Sequence, residues 1–333
     1  MKIAIIGTGK IVNEAIEAMK EVPRIEVKAI FARPKSEAKG RELAARYDID
    51  KVYTDYAKLL KESGVDFVYI GNVNSAHYDY TKEALNAGVN VISEKPFTST
   101  AAEAAELAAL VRDKKLYLFE AITNLHLPNF QVIKENLPRL GAIKMIQANY
   151  SQYSSRYDQY KQGVVCPAFS PELSGGCLYD LNIYNLNLIV GLFGRPDMVR
   201  YTANIGFNGI DTSGVALLRY NGYSATAVAA KDSASPSFLQ IQGDKGYIRA
   251  VGATNELQKI EIGINGEEIE TVNKNRYSNR MVHEFKDFLE IFENQEYGKM
   301  AAGLTTSMLV MDTAEKARRS AGIIFPADSE RGM

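Results

Sequence analysis

The sequence predicts an α/β protein in which a doubly wound parallel sheet is followed by an α+β domain with a mainly antiparallel open sheet. Three observations lead to this fold class. Residues 1–121 alternate short β-rich runs with amphipathic helical patterns, which is typical of βαβ units. A Gly-Thr-Gly turn directly follows the first of these runs. From Met198 onward, β-rich runs are joined by Asn-Gly turns, which are typical of antiparallel hairpins.

Length and composition bound the number of domains. The chain has 333 residues, of which 46% are hydrophobic and 24% charged. These values are close to the averages of globular proteins and exclude a disordered, collagen-like or coiled-coil chain. At roughly 150 residues per domain, the length predicts two domains. We place their boundary where the alternating pattern ends, so that the first domain spans 1–121 and the second spans 122–333.

The first domain is predicted to contain six strands with helical crossovers. The strands are residues 3–6, 26–31, 52–53, 67–70, 89–92 and 116–119. The helices between them include residues 36–47, 56–62, 78–87 and 100–114. The last of these helices is preceded by capping residues and is rich in alanine, the residue with the highest helix propensity.

The second domain begins with a short helix and a strand and continues into hairpins. Helical patterns cover 129–137 and 176–193, and a strand is predicted at 143–150. Two hairpins turn at Asn221-Gly222 and Asn265-Gly266, with strands 215–220, 223–230, 259–264 and 267–272. Helices 280–292 and 305–319 end the pattern.

Charge and residue usage exclude several classes of partner. The 39 basic and 40 acidic residues nearly cancel and form no long run of one sign, so a nucleic-acid partner is not expected. No apolar stretch approaches a membrane span, and the first apolar run is too short for a signal peptide. The two cysteines and three histidines lack metal-site spacing. We therefore expect a cytoplasmic protein without a nucleic-acid, membrane or metal partner.

The turn after the first strand predicts a Rossmann domain that binds a dinucleotide. Gly7 permits a tight turn, Gly9 lets a pyrophosphate approach the backbone, and the free amides at the start of the next helix attract the anion. The third position of the fingerprint is Val12 instead of Gly or Ala, which predicts a slightly wider spacing between helix and strand. The predicted cofactor contacts of this turn are Gly7, Thr8, Gly9, Lys10 and Ile11.

The end of the second strand indicates which dinucleotide is preferred. A domain that prefers NAD places Asp or Glu there to bind the ribose 2′-hydroxyl. This chain has Arg33 and Lys35 and no acid at that point, which favours the 2′-phosphate of NADP. The alternative is a solvated basic turn, with NAD still possible as cofactor.

Polar residues follow the fourth and fifth strands, where ligands bind in open α/β sheets. Pro96 keeps Lys95 out of the helical region, which holds its ammonium group beside the strand end. The alternative is an ordinary exposed lysine. The predicted cofactor contacts of these two strand ends are Asn72, Asn74, His77, Glu94 and Lys95.

Three motifs, in this order, resemble the Gfo/Idh/MocA oxidoreductase family, which includes glucose-fructose oxidoreductase and inositol dehydrogenase. They are the turn 7–11 after the first strand, the triplet 94–96 (EKP), and the run 175–184 (GGCLYDLNIY). The segment 118–121 (LFEA) also resembles the dihydrodiol and xylose dehydrogenase branch. The resemblance covers essentially the whole chain. It implies a Rossmann domain and a second domain whose open sheet forms a homodimer or homotetramer.

The resemblance also implies the catalytic residues. The lysine of the EKP triplet corresponds to Lys95, expected near the nicotinamide and the substrate oxygen. The family's Asp, followed four positions later by His or Tyr, corresponds to Asp180 and Tyr184. The spacing of four places these two on one helical face. The alternative for them is a packed helix with a polar tip.

The predicted chemistry is hydride transfer with a separate proton step. Tyr184 is the candidate general acid/base, because a cation about 4 Å away could lower its pKa from about 10 by at most roughly three units. The alternative makes Lys95 the proton donor and Tyr184 a substrate-positioning group. Asp180 would accept a hydrogen bond from a substrate hydroxyl or orient Lys95. Sequence alone leaves these assignments open.

The predicted activity is an NAD(P)-dependent dehydrogenase or reductase that acts on CH–OH groups of a small sugar, polyol or cyclic diol. The aromatic loop 150–160 is interpreted either as a substrate-facing lid or as an edge strand or subunit contact. Candidate substrate residues are Asn124, Tyr153 and Arg156. Two other functions are considered, a dinucleotide-sensing regulatory protein without turnover and an NAD-retaining glycosidase of the same superfamily.

Overall fold

A computed structural model describes residues 1–330 and divides them into two compact units. Unit 1 comprises Met1–Thr98, Ala102–Ala121 and Tyr277–Ser307. Unit 2 comprises Ser99–Ala101, Ile122–Arg276 and the chain from Met308 onward. The main change between units therefore falls between Ala121 and Ile122, where the sequence pattern changes. Two segments lie outside the predicted division, since residues 277–307 group with unit 1 and residues 99–101 group with unit 2.

Unit 1 contains a six-stranded parallel sheet with the order β3-β2-β1-β4-β5-β6. Its strands are β1 (Lys2–Ile6), β2 (Glu26–Phe31), β3 (Lys51–Tyr53), β4 (Phe67–Ile70), β5 (Asn90–Glu94) and β6 (Leu118–Ala121). Its crossover helices are α1 (Lys10–Lys20), α2 (Glu37–Tyr47), α3 (Tyr56–Glu62), α4 (His77–Asn86) and α5 (Ala101–Lys114). This is the doubly wound order, so the predicted fold of the first domain is confirmed.

The last two strands of this sheet lie one to two residues later than the sequence predicts. Strand β5 continues through Glu94, and β6 extends to Ala121. The polar residues Glu94 and Glu120 look like loop residues in the sequence, yet both are buried. Strands of a parallel sheet are covered on both faces, so their ends are decided by pairing and not by polarity. The extension carries two carboxyl groups into the interior of unit 1.

A helix from far along the chain completes unit 1. Helix α10 (Met281–Glu293) places Phe285 against Tyr69 and Phe288 against Phe119, with ring centroids 5.9 Å and 4.5 Å apart. Burying an aromatic ring removes about 150–250 Å² from water, so these contacts contribute several kcal/mol. They explain why residues 277–307 belong to the first unit although they lie late in the chain.

Unit 2 contains an eight-stranded sheet with the order β14-β13-β12-β11-β7-β10-β9-β8. Its strands are β7 (Ile143–Ser151), β8 (Met198–Ile205), β9 (Asp211–Tyr220), β10 (Tyr223–Ala230), β11 (Phe238–Gly243), β12 (Gly246–Val251), β13 (Lys259–Ile264) and β14 (Glu270–Val272). Only β7 and β10 pair in parallel, so the prediction of a mainly antiparallel sheet is confirmed. The β9–β10 hairpin forms at Asn221-Gly222 as predicted. After Asn265-Gly266, strand β14 begins at Glu270 and not at Glu267, so the second strand of that hairpin is half as long as predicted.

The helices of unit 2 lie mainly before β8 and at the end of the described chain. They are α6 (Thr123–His126), α7 (Pro128–Asn136), α8 (Tyr157–Lys161), α9 (Ile183–Phe193), the second part of α11 (Tyr297–Ser320) and α12 (Ala327–Glu330). A π-helical turn, Leu178–Asn182, precedes α9. Such turns insert one extra residue per turn and are frequent at functional sites. The sequence pattern shows this stretch only as helical.

One face of the unit 2 sheet carries exposed apolar side chains. Met145, Val215 and Leu217 are 47%, 43% and 40% exposed. Leu217 lies opposite Thr226 and Arg200, and Val215 lies opposite Val228 and Thr202. An apolar stripe of this kind on a flat sheet is a candidate contact surface for another protein. Among residues 1–330, no helix is long and apolar enough to cross a membrane.

Candidate active site

The turn between β1 and α1 has the geometry of a phosphate-binding loop. Gly7 has φ +121°, and a Cβ there would lie 2.8 Å from the carbonyl oxygen of Gly71. Gly9 forms the N-cap of α1 without a side-chain cap, which leaves the first amides of this helix available to an anion. Thr8 and Ile11 are partly exposed beside it, and Lys10 is exposed at the helix start. These residues fit the pyrophosphate of a dinucleotide.

Val12 replaces the third glycine of the fingerprint, and the neighbouring strand compensates for it. A Cβ on Gly71, directly after β4, would lie 2.9 Å from Val12 Cγ2 and 3.0 Å from the Tyr69 ring. Val12 itself is fully buried. The absence of a side chain at Gly71 therefore provides the space that a glycine at position 12 would normally provide. The sequence predicted wider spacing between helix and strand at this point, whereas the structure shows tight packing made possible by Gly71.

Two further side chains at this edge of the sheet fit a dinucleotide. Arg33 is exposed directly after β2, and within residues 1–330 its guanidinium makes no ion pair. Asn72 follows β4, and its Oδ1 atom is buried without a hydrogen-bond partner among the described residues. A buried acceptor of this kind indicates that a donor from a ligand belongs there. Asn74 begins the next short helical turn, Asn74–Ala76.

His77 is buried and joins the loops after β4 and β5. Its Nδ1 atom lies 2.9 Å from the carbonyl oxygen of Pro96, which can only accept, so Nδ1 carries the proton. Burial lowers the pKa of His77 to about 4, so the ring is neutral at physiological pH. The sequence predicted a cofactor contact at this position. In the structure His77 also holds the segment that carries Lys95, through its hydrogen bond to the Pro96 carbonyl oxygen.

Lys95 directly follows β5. The carboxyl group of Glu94, the last residue of that strand, lies in the interior of unit 1. Glu94 Oε1 accepts a hydrogen bond of 2.6 Å from the Tyr69 hydroxyl, and Glu94 Oε2 accepts one of 3.2 Å from the Lys95 backbone amide. Glu94 is buried, so its carboxylate supports the Lys95 backbone from within unit 1. The Lys95–Pro96 peptide bond is cis. Lys95 stays our candidate catalytic residue.

In unit 2, two glycines and a buried aspartate shape the start of the π-helical turn. A Cβ on Gly175 would lie 2.6 Å from the carbonyl oxygen of Pro167, and one on Gly176 would lie 2.1 Å from Asp211 Oδ1. Asp211 Oδ2 accepts hydrogen bonds from the Leu178 amide at 2.6 Å and from the Tyr201 hydroxyl at 2.8 Å. The Gly-Gly pair is therefore needed for close packing, and it brings the turn with Asp180 against the loop 167–170.

Asp180 forms a partly buried ion pair with Lys231. Lys231 Nζ lies 2.7 Å from Asp180 Oδ2 and donates a second hydrogen bond of 2.7 Å to the carbonyl oxygen of Ala168. It also lies 4.2 Å from the centre of the Phe169 ring, a favourable cation–π distance. The Lys231 side chain is 2% exposed, whereas that of Asp180 is 31% exposed. The pair therefore holds a carboxylate in a fixed orientation while leaving it accessible.

This ion pair lines a small polar cavity. The cavity has a volume of about 240 Å³. Its lining residues are Gln152, Tyr153, Ser154, Ser155, Asp180, Leu181 and Lys231. The volume is below the roughly 300–1,000 Å³ of pockets that take drug-sized ligands. Amide, hydroxyl, carboxylate and ammonium groups together suit a small molecule that carries several hydroxyl groups.

Tyr184 lies in α9, one turn beyond Asp180. It is buried, and its ring meets that of Tyr150 edge-on with centroids 5.8 Å apart. Asn124, a predicted substrate residue, is entirely buried and donates from Nδ2 to the carbonyl oxygens of Tyr184 at 2.9 Å and Thr254 at 3.2 Å. Asn124 therefore anchors the helix that carries Tyr184, and a contact with substrate stays a prediction.

The aromatic loop 150–160 is partly helical. Strand β7 ends at Ser151, and helix α8 follows. Tyr153 is exposed, donates a hydrogen bond of 2.8 Å to Asp158 and lines the cavity. Arg156 is exposed on the same segment. Tyr160 is instead buried against Phe169, with centroids 4.7 Å apart. Tyr153 and Asp180 thus line the same cavity, whereas Arg156 lies at the surface. The lid interpretation and the contact interpretation of this loop both stay predictions.

Sequence reasoning missed Lys231, which is central to the geometry of unit 2. It directly follows β10, whose last residues are alanines, and a charge after an apolar strand normally marks a solvent-exposed turn. The position of a lysine directly after an apolar strand was the one signal that could have found Lys231. Cys177 carries no such role, because burial raises the pKa of its thiol well above the ordinary value and favours the protonated form.

The family models match both units. Residues 1–121 match the model of the oxidoreductase family with an NAD-binding Rossmann fold, and residues 133–249 match the GFO/IDH/MocA C-terminal domain. The chain belongs to the Gfo/Idh/MocA oxidoreductase family. The resemblance inferred from the three sequence motifs is thereby confirmed, and the chain is an NAD(P)-binding oxidoreductase.

Characterised relatives and solved structures extend this family assignment over the whole chain. The NADP⁺-dependent scyllo-inositol 2-dehydrogenase IolU of Bacillus subtilis is 30% identical, with 98% of this chain and 99% of that protein covered. A trans-1,2-dihydrobenzene-1,2-diol dehydrogenase of Sus scrofa is 25% identical, with 98% and 99% covered. KijD10, a 3-ketoreductase from Actinomadura kijaniata solved with NADP and TDP-benzene, has a TM-score of 0.83 at 20% identity, with 96% of this chain and 97% of that chain covered. The structural likeness confirms the fold.

Metal chemistry finds no support in the arrangement of side chains. Among residues 1–330, no group of three or more His, Cys, Asp or Glu side chains is placed to hold a metal ion.

Proposed function

We propose that this oxidoreductase transfers hydride between NADP and a hydroxyl-bearing carbon of a small polyol, with an inositol-type ring as the preferred class. One observation carries the choice of substrate. The cavity beside Asp180 is small and lined by hydrogen-bonding groups, and its carboxylate is held in place by Lys231. A carboxylate with a fixed orientation accepts hydrogen bonds from two adjacent hydroxyl groups. The inositol dehydrogenase relative supports the same class.

The proposed roles of the side chains follow from the proton that accompanies each hydride. A bound nicotinamide supplies the hydride chemistry. Lys95 and Tyr184 are our candidates for holding or accepting the proton at the substrate oxygen, and Asp180 is our candidate for binding a neighbouring hydroxyl. Asn72 and the turn 7–11 are proposed to hold the dinucleotide. A proton donor or acceptor in the right place contributes about 10²- to 10⁴-fold in rate.

A substrate screen tests this function. Purified protein is mixed with NADP⁺ and a panel that contains scyllo-inositol, other inositols, aldoses and a trans-dihydrodiol, and formation of reduced nicotinamide is followed by absorbance. We expect the highest kcat/KM with a cyclic polyol. Absence of turnover with every cyclic polyol, in both directions and with both dinucleotides, would overturn the proposal.

The other two functions considered above lack support. The relatives named above are dehydrogenases and a ketoreductase, not regulators or glycosidases. A sensor that only binds a dinucleotide has no need for the Asp180–Lys231 pair beside a polar cavity. The oxidoreductase assignment therefore stands alone as our proposal.

We expect Arg33 to select NADP over NAD. The variant Arg33→Ser removes a charge-assisted hydrogen bond to the 2′-phosphate. Such a hydrogen bond is worth about 1.5–3 kcal/mol. The Kd for NADPH should rise about 10- to 100-fold while that for NADH stays unchanged, as measured by nicotinamide fluorescence. Lys39→Ser removes an exposed cation from the neighbouring helix α2 and serves as the control. Equal losses for both dinucleotides would show that Arg33 does not contact the phosphate.

We propose that the exposed face of the unit 2 sheet forms a homodimer or homotetramer. Val215 and Leu217 follow each other on that face of β9, two positions apart, and both are exposed. Exposed apolar area of this kind favours burial against a second copy of the chain. The variant Leu217→Glu should shift the mass in sedimentation velocity from the oligomer to the monomer. Ile324→Glu alters an equally apolar exposed residue outside the sheet and should leave the mass unchanged. A monomeric wild-type protein would contradict this surface.

We infer a cytoplasmic location from the use of cysteine. Cys166 and Cys177 are both free thiols, and Cys177 is buried. Disulfides are usual in proteins of oxidising compartments, whereas free buried thiols are usual in reducing ones. Fractionation of cells that produce the tagged protein tests this location.

A further inference from the structure

We propose that three buried carboxyl groups in unit 1, those of Glu94, Glu120 and Glu284, form an electrostatic array that sets the pH at which Lys95 gives up its proton. The inference rests on the proposed function, because it assigns Lys95 a proton-dependent role. Within the array Glu120 is the residue that changes charge near neutral pH. None of the three is argued to touch substrate, so they are positioning residues that act through Lys95.

The strand register places two of these groups on opposite faces of the sheet. Neighbouring parallel strands pair Ser93 with Glu120 and Glu94 with Ala121. Because successive side chains alternate between faces, Glu120 shares its face with Ser93, and Glu94 lies on the other face. Tyr69 lies on the Glu94 face, which agrees with its hydrogen bond to that carboxylate. The two carboxyl groups therefore approach Lys95 from two sides of the same strand end.

Each group has a different set of charged and titratable neighbours. Glu94 faces Tyr69 of β4, Arg280 just before α10, and Lys95. Glu284 of α10 faces Glu94, Glu120, Arg280 and Asp287. Glu120 faces Glu94 and Lys95, together with the Ser307 hydroxyl of α11 and the Phe97 amide. Glu94 is thus the member with the strongest support for a negative charge.

Glu120 and Glu284 are buried without well-formed hydrogen bonds. Both carboxyl oxygens of each residue lack a partner among the described residues, and both residues are buried. Ser307 and Phe97 lie close enough to favour the charged form of Glu120 but do not bond it with good geometry. An unpaired carboxylate in the interior is costly, so such a group takes up a proton instead. Burial raises the pKa of Glu94 as well, although its hydrogen bonds and the charges of Lys95 and Arg280 oppose the effect. A negative charge on Glu94 further favours the protonated forms of Glu120 and Glu284.

Burial separates the behaviour of the two groups. It raises the pKa of Glu120 to about 7, with the Glu94 charge adding to the effect and Lys95 opposing it. Burial raises the pKa of Glu284 well above its ordinary value, and the charge of Glu94 raises it further. Glu284 is therefore the member of the array whose protonated form is favoured most clearly. Glu120 loses its proton as the pH rises through 7, and the new negative charge then holds the Lys95 ammonium against deprotonation.

The test compares pH profiles of kcat for wild type and Glu120→Gln, a neutral variant of nearly the same shape. In wild type, the Glu120 anion keeps Lys95 protonated at alkaline pH. Without that anion we expect the alkaline limb to move to lower pH, by on the order of one pH unit. Ser93→Ala, which alters a neutral side chain on the same face, is the packing control and should leave the limb in place. An unshifted limb in Glu120→Gln would overturn the proposal.

The variant Glu284→Gln separates the roles of the two groups. Because burial favours the protonated form of Glu284, an amide there should leave the position of the alkaline limb as it is in wild type. A shift equal to that of Glu120→Gln would show that the two carboxyl groups are not distinguished as proposed.

A second measurement needs no turnover and so separates this inference from the proposed function. Folded Glu120 binds a proton up to about pH 7, whereas the unfolded chain releases it near 4.5. Stability contributed by this proton is therefore complete below pH 4.5 and is lost between 4.5 and 7. Relative to Glu120→Gln, wild type should lose roughly 10²-fold in its folding equilibrium constant across that window, measured by urea titrations at both ends. Parallel pH dependences would refute the titration, whether or not a substrate is found.

Discussion

Lys95→Met is expected to lower kcat by about 10²- to 10⁴-fold and to leave dinucleotide binding largely intact. Lys95 directly follows β5, at the edge of the sheet where open α/β folds bind ligands. The dinucleotide is held mainly by backbone amides at the start of α1, which this substitution does not touch. Stopped turnover with preserved NADPH fluorescence is therefore the expected result. Unchanged turnover would remove Lys95 from the mechanism.

Two companion variants decide which residue transfers the proton. Lys95→Arg keeps the positive charge but cannot act as an acid or base near neutral pH. If Lys95 donates the proton, Lys95→Arg is as inactive as Lys95→Met, and Tyr184→Phe retains much of its rate. If Tyr184 donates it, Tyr184→Phe loses about 10²- to 10⁴-fold and Lys95→Arg retains much of its rate. The pair of results separates the two assignments that the sequence leaves open.

Lys231→Met is expected to lower kcat/KM by about 10²-fold through the loss of a fixed Asp180, since a misplaced binding group costs about that much. It removes both hydrogen bonds that Nζ makes, to Asp180 and to the Ala168 carbonyl. Breaking a buried ion pair typically costs about 3–5 kcal/mol of stability. Asp180 is partly exposed and can be rehydrated, so we expect a smaller loss, about 1–3 kcal/mol.

Two controls make this prediction decisive. Lys161 forms an exposed ion pair with Asp158 over the same distance, 2.7 Å, so Lys161→Met should leave stability and activity close to those of wild type. In the double variant Asp180→Asn with Lys231→Met, no unpaired charge remains, so stability should recover while activity does not. A fully stable Lys231→Met with wild-type kcat/KM would show that the ion pair does not position Asp180.

Local sequence signals were sufficient for the fold of unit 1 and for the position of its dinucleotide turn. The strand, the Gly-Thr-Gly turn and the helix are consecutive, so their periodicity and turn chemistry are visible within about 20 residues. The same holds for the β9–β10 hairpin of unit 2, in which Tyr220 pairs with Tyr223 across the two-residue turn. The catalytic candidates Lys95, Asp180 and Tyr184 also stood out, through motifs of three to ten residues.

Other features depend on residues that are far apart in the chain. Gly71 compensates for Val12, but only the pairing of β1 with β4 brings these two positions together. Helix α10 looks like a terminal scaffold helix in the sequence, and its membership of unit 1 is decided by the rings of β4 and β6 that it buries. Periodicity shows that a helix is amphipathic but not which surface will cover it.

The sequence by itself determined the fold class, the order of the elements and the chemistry of the dinucleotide turn, because these depend on neighbouring residues. The tertiary structure alone decided which charges are paired and which are buried without a partner. Lys231 and Asp180 are 51 positions apart, and Glu284 lies on a helix more than a hundred residues beyond β6. The proton affinity of a carboxyl group depends on its solvent and charge environment, which exists only once the chain is folded.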